Sequence, residues 1–299
     1  MNSKERAARL FHKGEELFNG ENGIAKNQAE GLKLWREAAL AGNVDAQYNL
    51  GVCYNNGIGV ACDNTEAHKW WLMAARQGDV TSQFNVGMFY LQGVGTAQDY
   101  TQALQWLECA GNQGDPDALY QIGDCHEQGL GTPFDSNKAM HYYRLAAEKG
   151  HPKSQMLVGI SYYDRMEYDT AFEWFKRSAE QGYSEAQYCM ARCYHNGHGT
   201  APDPQQEAEY YQKAARQGHI DAQYNLGYCY LNGMGVEENH ATAAQCFKMA
   251  ATAGDVEAQY ITACLLENGI GCEADIDEAA YWYRQAASQG HPQAQEKLG

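Results

Sequence analysis

Basic residues are in short supply in this chain: 22 lysines and arginines stand against 38 acids in 299 residues, a formal net charge of −16. An excess of that sign repels phosphate backbones and anionic lipid surfaces, so nucleic acid is not an expected ligand and basic partners are favoured. Long apolar runs are missing too. No stretch approaches the roughly eighteen apolar residues of a membrane span, and mean hydropathy is −0.62, so membrane insertion is not expected. Proline, at 6, is scarce beside 31 glycines, which makes glycine a marker of turns rather than of collagen or a proline-rich linker. The opening segment MNSKERAARLFHKGEEL has no uninterrupted apolar core, so export by a signal peptide is not expected. Ten cysteines at mostly irregular spacing fall well short of a disulfide scaffold. A reducing, cytoplasmic setting is the expectation, with a secreted or periplasmic one as the alternative.

Catalytic signatures are also lacking. S-x-x-K, H-E-x-x-H, G-x-S-x-G and Walker sequences do not occur, so neither an enzyme activity nor a cofactor is expected. The G-x-G segments that begin at Gly57, Gly93, Gly129, Gly197, Gly233 and Gly269 resemble phosphate loops only superficially. They follow helices instead of strands, and six copies of one turn read as scaffold.

What the chain does have is a repeat. AQYNLG (46–51), SQFNVG (82–87), ALYQIG (118–123), SQMLVG (154–159), AQYCMA (186–191), AQYNLG (222–227), AQYITA (258–263) and AQEKLG (294–299) recur at steps of 36, with one step of 32. After each full copy come a G-x-G turn, an alanine, an aromatic, a small pair and a closing glycine from the series Gly42 to Gly290, placed as a helix C-terminal cap. Ala46, Leu50, Cys53 and Tyr54 share one face of a first helix, and Ala67, Trp71, Ala74 and Ala75 one face of a second. A lone helical hairpin cannot bury both stripes, whereas stacked neighbours can. The expected fold is therefore an all-α solenoid of antiparallel helix pairs, with units at about 4–42, 43–78, 79–114, 115–150, 151–182, 183–218, 219–254 and 255–290. Residues 291–299 form a partial C-terminal cap helix, because the chain ends at Gly299 partway through a first helix.

These residues resemble the Sel-one-like repeat family, a relative of the tetratricopeptide repeat with a longer loop between helices. The resemblance runs over about residues 4–299 and implies a right-handed α/α solenoid serving as a protein-binding adaptor. Copy five lacks the G-x-G segment, and its Gly159, Tyr162, Ala171 and Phe175 then fall on tetratricopeptide spacing. Glu15 stands where copy one should carry the first-helix glycine, Ala191 and Ala263 replace that glycine later, and Glu207 occupies an alanine position, so looser packing is expected there. The seven-residue spacer between Cys264 and Cys272 is similar to the bridge of a secreted, cysteine-rich branch of the family, which implies the alternative function of a disulfide-bridged effector or surface factor.

Other cysteines read differently. Cys53, Cys125, Cys193 and Cys229 share one first-helix position that Phe89, Ser161 and Leu265 fill elsewhere, so that position calls for a small or apolar group. Cys189, Cys193, His195 and His198 form the sole metal-like cluster, but they belong to different faces, and no metal is expected.

The opposite arc of the first helices lines the concave groove by resemblance. A tyrosine row runs along it (Tyr48, Phe84, Tyr120, Tyr188, Tyr224 and Tyr260), and a residue needed in every unit reads as scaffold. Acids dominate the variable groove positions: Asp45, Asp117, Asp124, Glu127, Asp164, Glu185, Asp221, Glu257 and Glu267 face only Lys153 and Arg192, while the second helices are richer in lysine and arginine. Early-turn acids also suit the helix dipole, which later-turn acids oppose. A basic or amphipathic segment of a protein or peptide is thus the expected partner, held by Asp124, Glu127, Arg192, His195, Tyr228 and Glu267, with Asn56, Asn196, Asn232 and Asn268 hydrogen-bonding its backbone.

Overall fold

The computed structural model describes residues 3–298, so Gly299, expected as the glycine of a last first helix, lies outside the described residues. Among the described residues there are seventeen α-helices and no strands. None of these helices is long and apolar enough to cross a membrane. Two compact units divide between His151 and Pro152. The first contains α1 (Ser3–Asn19), α2 (Gln28–Leu40), α3 (Val44–Asn56), α4 (Asn64–Ala75), α5 (Val80–Gln92), α6 (Tyr100–Asn112), α7 (Pro116–Gln128) and α8 (Ser136–Glu148). The second contains α9 (Pro152–Tyr163), α10 (Tyr168–Glu180), α11 (Ser184–Asn196), α12 (Pro204–Arg216), α13 (Ile220–Asn232), α14 (His240–Thr252), α15 (Val256–Asn268), α16 (Ile276–Ser288) and α17 (Pro292–Leu298). Within each unit consecutive helices pair and stack as an α/α solenoid, the odd-numbered A helices forming one row and the even-numbered B helices the other.

Local chemistry sets the helix boundaries. B helices start where the side chain of Asn27, Asp63, Asp99, Asp135, Asp203, Asn239 or Asp275 accepts a backbone N–H. Asn43, Asp79, Asp115 and Asp255 do the same for A helices. Such caps offset donors that would otherwise lose their partners, each worth about 1 kcal/mol. At the other end of α2, Gly42 adopts φ 92° and the Asn43 N–H reaches Ala38 O at 3.0 Å, the left-handed closure expected of the glycine series.

The two helices of a hairpin approach until glycine meets an aromatic ring. A Cβ on Gly123 would lie within 2.6 Å of the Tyr143 ring, and one on Gly227 within 2.8 Å of Phe247, which is fully buried. The expected loosening at Ala191 and Ala263 does not occur. Both are fully buried, and the facing Tyr211 and Tyr283 are only 4% and 5% exposed. Copy one needs a correction of register. Gly14, not Glu15, is the first-helix glycine: a Cβ there would sit 2.6 Å from Trp35, whose indole N–H donates to Phe11 O at 3.2 Å. The link from α1 to α2 is one residue longer than in the other full copies, and this moves the alignment.

The G-x-G turn joins hairpin to hairpin. Its first glycine ends an A helix in the left-handed region, as at Gly233 with φ 65°. Its second glycine lies against the first carbonyl of the preceding B helix: Gly95 on Asn64, Gly131 on Tyr100, Gly199 on Tyr168, Gly235 on Pro204 and Gly271 on His240. A side chain at any of these would overlap backbone. Copy five, which opens the second unit, has no such turn, and the left-handed position there falls to Met166 at φ 63°.

A buried amide chain adds a second link between hairpins. In α3, Gln47 donates Nε2–H to Ala39 O at 2.8 Å and accepts at Oε1 from Gln77 Nε2 at 2.7 Å. Gln83 with Gln113, Gln187 with Gln217, and Gln259 with Gln289 repeat the arrangement.

Replacing Gly235 by alanine should cost more than about 2 kcal/mol, since it adds a backbone clash to the roughly 1–2 kcal/mol of a left-handed alanine. Gly254→Ala, at φ 103° with nothing within 4 Å of a new Cβ, should cost only the conformational part. Equilibrium urea unfolding distinguishes them, and equal losses would remove the clash from the account.

Candidate functional site

The A helices carry two kinds of residue, those the scaffold needs in each copy and those that vary. The tyrosine row belongs to the first kind. Tyr120 stacks on His151 at 4.6 Å, Tyr188 on His219 at 4.5 Å and Tyr260 on His291 at 4.4 Å. Each imidazole also meets an early-turn acid of the preceding A helix: His151 Nε2 lies 3.5 Å from Asp117, His219 Nε2 3.1 Å from Glu185 and His291 Nε2 3.4 Å from Glu257. His219 Nδ1 meanwhile accepts the Ala222 N–H at 3.3 Å, and His291 Nδ1 the Ala294 N–H at 3.2 Å. One ring thus caps a helix, stacks on tyrosine and engages a carboxylate. Three of the nine groove acids are therefore committed to joining repeats.

Two more are committed within hairpins. Asp124 accepts the Tyr143 hydroxyl at 2.7 Å, and burial, then this carboxylate, hold that phenol well above its ordinary pKa. Glu267 accepts Tyr283 O–H at 2.6 Å and Lys297 Nζ at 2.8 Å, and its own pKa is lowered, by the lysine first and the tyrosine second. Both acids hold the fold in place, which corrects their expected role as free groove charges. Asp164 lies past the end of α9, in the turn, rather than in a last helical turn. Glu127 is exposed, and it has no ion-pair partner among the described residues. The same holds for Asp45 and Asp221.

The asparagines expected to bind a peptide backbone partly serve their own helices. Asn196 Nδ2 donates to Arg192 O at 2.9 Å, Asn232 to Tyr228 O at 3.0 Å and Asn268 to Cys264 O at 2.8 Å, while Asn56 Oδ1 accepts from Asn55. In the first three, the amide oxygen and one amide hydrogen are left for another partner.

Four of the expected residues converge. Arg192, His195, Asn196 and Tyr228 line a cleft of about 470 Å³ between α11 and α13, together with Tyr188, Glu207, Tyr211, Tyr224 and Asn225. Tyr228 is fixed edge-to-face on Phe247 at 5.2 Å and on Tyr224 at 5.1 Å. The Arg192 guanidinium lies 5.9 Å above the Tyr188 ring and has no carboxylate partner among the described residues. Burial raises the pKa of Tyr188, Tyr211 and Tyr224, so the cleft presents neutral hydroxyl groups. Asp221 stands close enough to Tyr188 to add to its shift. Asn56, Asp124 and Glu127 belong to the first unit, and Asn232, Glu267 and Asn268 line no part of this cleft.

Glu207, at an alanine position where looser packing is expected, lines the cleft. Its carboxylate is only 10% exposed and lies 3.0 Å from His195 Nδ1, so the imidazole satisfies the acid where other repeats carry alanine. An acid at an alanine position twelve residues after a histidine was the available signal.

One cysteine, Cys229, reaches this cleft, as a buried thiol beside Glu207. Cys53, Cys125, Cys193 and Cys229 are buried, and burial pushes their thiols up to about 11, 11, 12 and 12. Cys264 and Cys272 are both free thiols, so the implied bridge is absent: Cys264 Sγ pairs with Tyr283 Oη at 3.3 Å, and Cys272 Sγ points to Ile270 O at 3.6 Å. His198 bonds Tyr163 O–H at 2.8 Å and stacks on Tyr168, turning away from Cys189, Cys193 and His195.

Fold and cleft together define a helical-repeat scaffold of the kind that supports protein–protein interaction. The Sel1 repeat model matches residues 7–43, 44–79, 80–115, 116–151, 153–183, 184–219, 220–255 and 256–291, so the chain belongs to the Sel1 repeat family. It is similar to a protective antigen of uropathogenic Escherichia coli with an SLR fold, at 29% identity and TM-score 0.87 over 100% of this chain and 66% of that one. The chain thus spans just under two thirds of that antigen's length. A Sel1 repeat protein from Oxalobacter formigenes is similar at 33% identity and TM-score 0.72, over 98% of this chain and 85% of that one. None of the curated proteins matches the sequence.

His195→Ala should destabilise the second unit by about 1–3 kcal/mol by stranding a buried carboxylate. Glu207→Ala, which restores the alanine of the other repeats, should be near neutral, and the double variant should match it. Urea titrations of the four proteins decide this. Additive losses would deny the coupling.

Proposed function

We propose that this protein is a non-catalytic scaffold that holds a basic or amphipathic segment of another protein against its A-helix face, anchored in the second unit at the α11–α13 cleft. The observation that carries this reading is the convergence of Arg192, His195, Asn196 and Tyr228 in one open cleft. The early-turn acids Asp117, Glu185 and Glu257, by contrast, are engaged in the scaffold. Such a cleft is bipolar. Arg192 offers a cation to a carbonyl or acid, Asp221 offers a carboxylate to a base, and the neutral tyrosines supply apolar faces with hydroxyl rims. An amphipathic segment carrying both signs with a basic excess meets all three, and the net charge of −16 favours its approach. In the first unit Glu127 leaves unpaired negative charge on that unit's own A-helix row, whereas Asp124 supports Tyr143 and is a poor site for charge reversal.

Fluorescence anisotropy with amphipathic peptides matched in length and differing in net charge tests the reading. Basic peptides should bind, with affinity falling as salt rises, and Tyr228→Ala and Arg192→Glu should each weaken binding at least tenfold, as loss of an anchoring side chain does. Equal binding of acidic peptides, or indifference to both substitutions, would contradict it.

A further inference from the structure

The buried amide chain that links hairpins has one half-made link. Gln223 in α13 donates Nε2–H to Ala215 O at 3.2 Å, as its counterparts do, but its Oε1 has no hydrogen-bond partner among the described residues, although the side chain is 93% buried (7% exposed). Thirty residues on, where Gln77, Gln113, Gln217 and Gln289 supply the donor in other repeats, stands Ala253. Elsewhere the chain avoids this mismatch by losing both partners, with Leu119 opposite Lys149. At Gln223 only the donor is lost.

Beside the place of that donor lies an open pocket of about 690 Å³, lined by Gly218, Gln223, Gln245, Met249, Thr252 and Ala253, with Gln223 Oε1 screened from solvent at its edge. Its one charged neighbour, Lys248, is tied to Glu278. No free charge therefore faces an occupant, and most of the wall is hydrocarbon. The other repeats show what fits. Gln113 Nε2 donates one hydrogen to Gln83 Oε1 at 2.8 Å and also reaches Gly78 O at 3.1 Å, and Gly218 is the repeat equivalent of Gly78. Gln223 Oε1 and Gly218 O thus match the two hydrogens of a primary amide, once an occupant parts the side chains that screen Oε1. A charged ammonium or guanidinium would enter beside a lysine with no carboxylate free to meet it, and a hydrocarbon side chain would leave Gln223 Oε1 unsatisfied.

We infer that this pocket binds the side-chain carboxamide of a glutamine from a partner polypeptide, which completes from outside the amide chain that this repeat leaves open. It lies between the α12–α13 turn and α14, lined by none of the residues assigned above to the A-helix cleft.

The test follows Gln223 side-chain amide and Met249 methyl resonances by NMR while the whole protein is titrated with N-acetylglutamine methylamide or its glutamate or norvaline analogue. The glutamine probe should shift both resonances and bind at least tenfold more tightly than either analogue. Ala253→Gln should raise the melting temperature and abolish the response, because an internal carboxamide takes the place. Gln223→Leu, the pairing that Leu119 shows the fold accepts, should erase the preference for glutamine over norvaline. Absence of any response, equal responses to the three probes, or an unchanged response in both variants would overturn the inference. Arg192→Glu should leave the response intact, so failure here is separable from failure of the A-helix reading.

Discussion

The whole arrangement depends on backbone meeting backbone with no room for a side chain. Where Gly235 lies on the carbonyl of Pro204, and Gly271 on that of His240, the G-x-G turn of one hairpin seats on the first residue of the preceding B helix. That seating orients successive hairpins, and orientation places the next A helix close enough for its capping imidazole to stack on tyrosine and meet an acid. Aromatic packing against Gly123 or Gly227 sets the spacing within a hairpin, while the turn glycine, the amide chain and the capping imidazoles fix one hairpin on the next. Function is then confined to the positions that this lattice of contacts does not use.

That division changes what the net charge means. Asp63, Asp79, Asp99, Asp115, Asp135, Asp203, Asp255 and Asp275 all cap helices. Asp117, Glu185 and Glu257 engage histidines, while Asp124 and Glu267 hold tyrosines. A large share of the acid excess therefore follows from building helix after helix from the same cap. In the proposed reading, what steers a partner is the remainder, such as Glu127 and Asp221, added to the long-range field of the whole chain.

The fold could be read from the sequence because each hairpin restates the same pattern eight times, so the closing glycines, the small pairs and the aromatic of α4 were all visible as periodicity. Copy one escaped because a single extra residue between α1 and α2 shifts Gly14 out of step with Gly51. The site was readable only in part. Variation between copies pointed to Arg192, His195 and Tyr228, and these do meet, but variation alone could not show that Asp124 and Glu267 answer tyrosines on the facing helix. Such a bond joins residues 16 or 19 apart across a hairpin, a separation that carries no periodic signature. The departures that matter most, Glu207 opposite His195 and Ala253 opposite Gln223, are legible only once the partner of each position is known.

The central claim is that the A-helix cleft of this scaffold holds another polypeptide. Its most direct test is photo-crosslinking in the cells that express the protein, with a benzophenone side chain at Tyr228 in one variant and at the exposed Tyr281 of α16 in another. The account predicts a discrete protein adduct at position 228 that is lost when Arg192 is also changed to glutamate, and none at position 281. An adduct at 281 with none at 228, or one at 228 indifferent to Arg192, would contradict it.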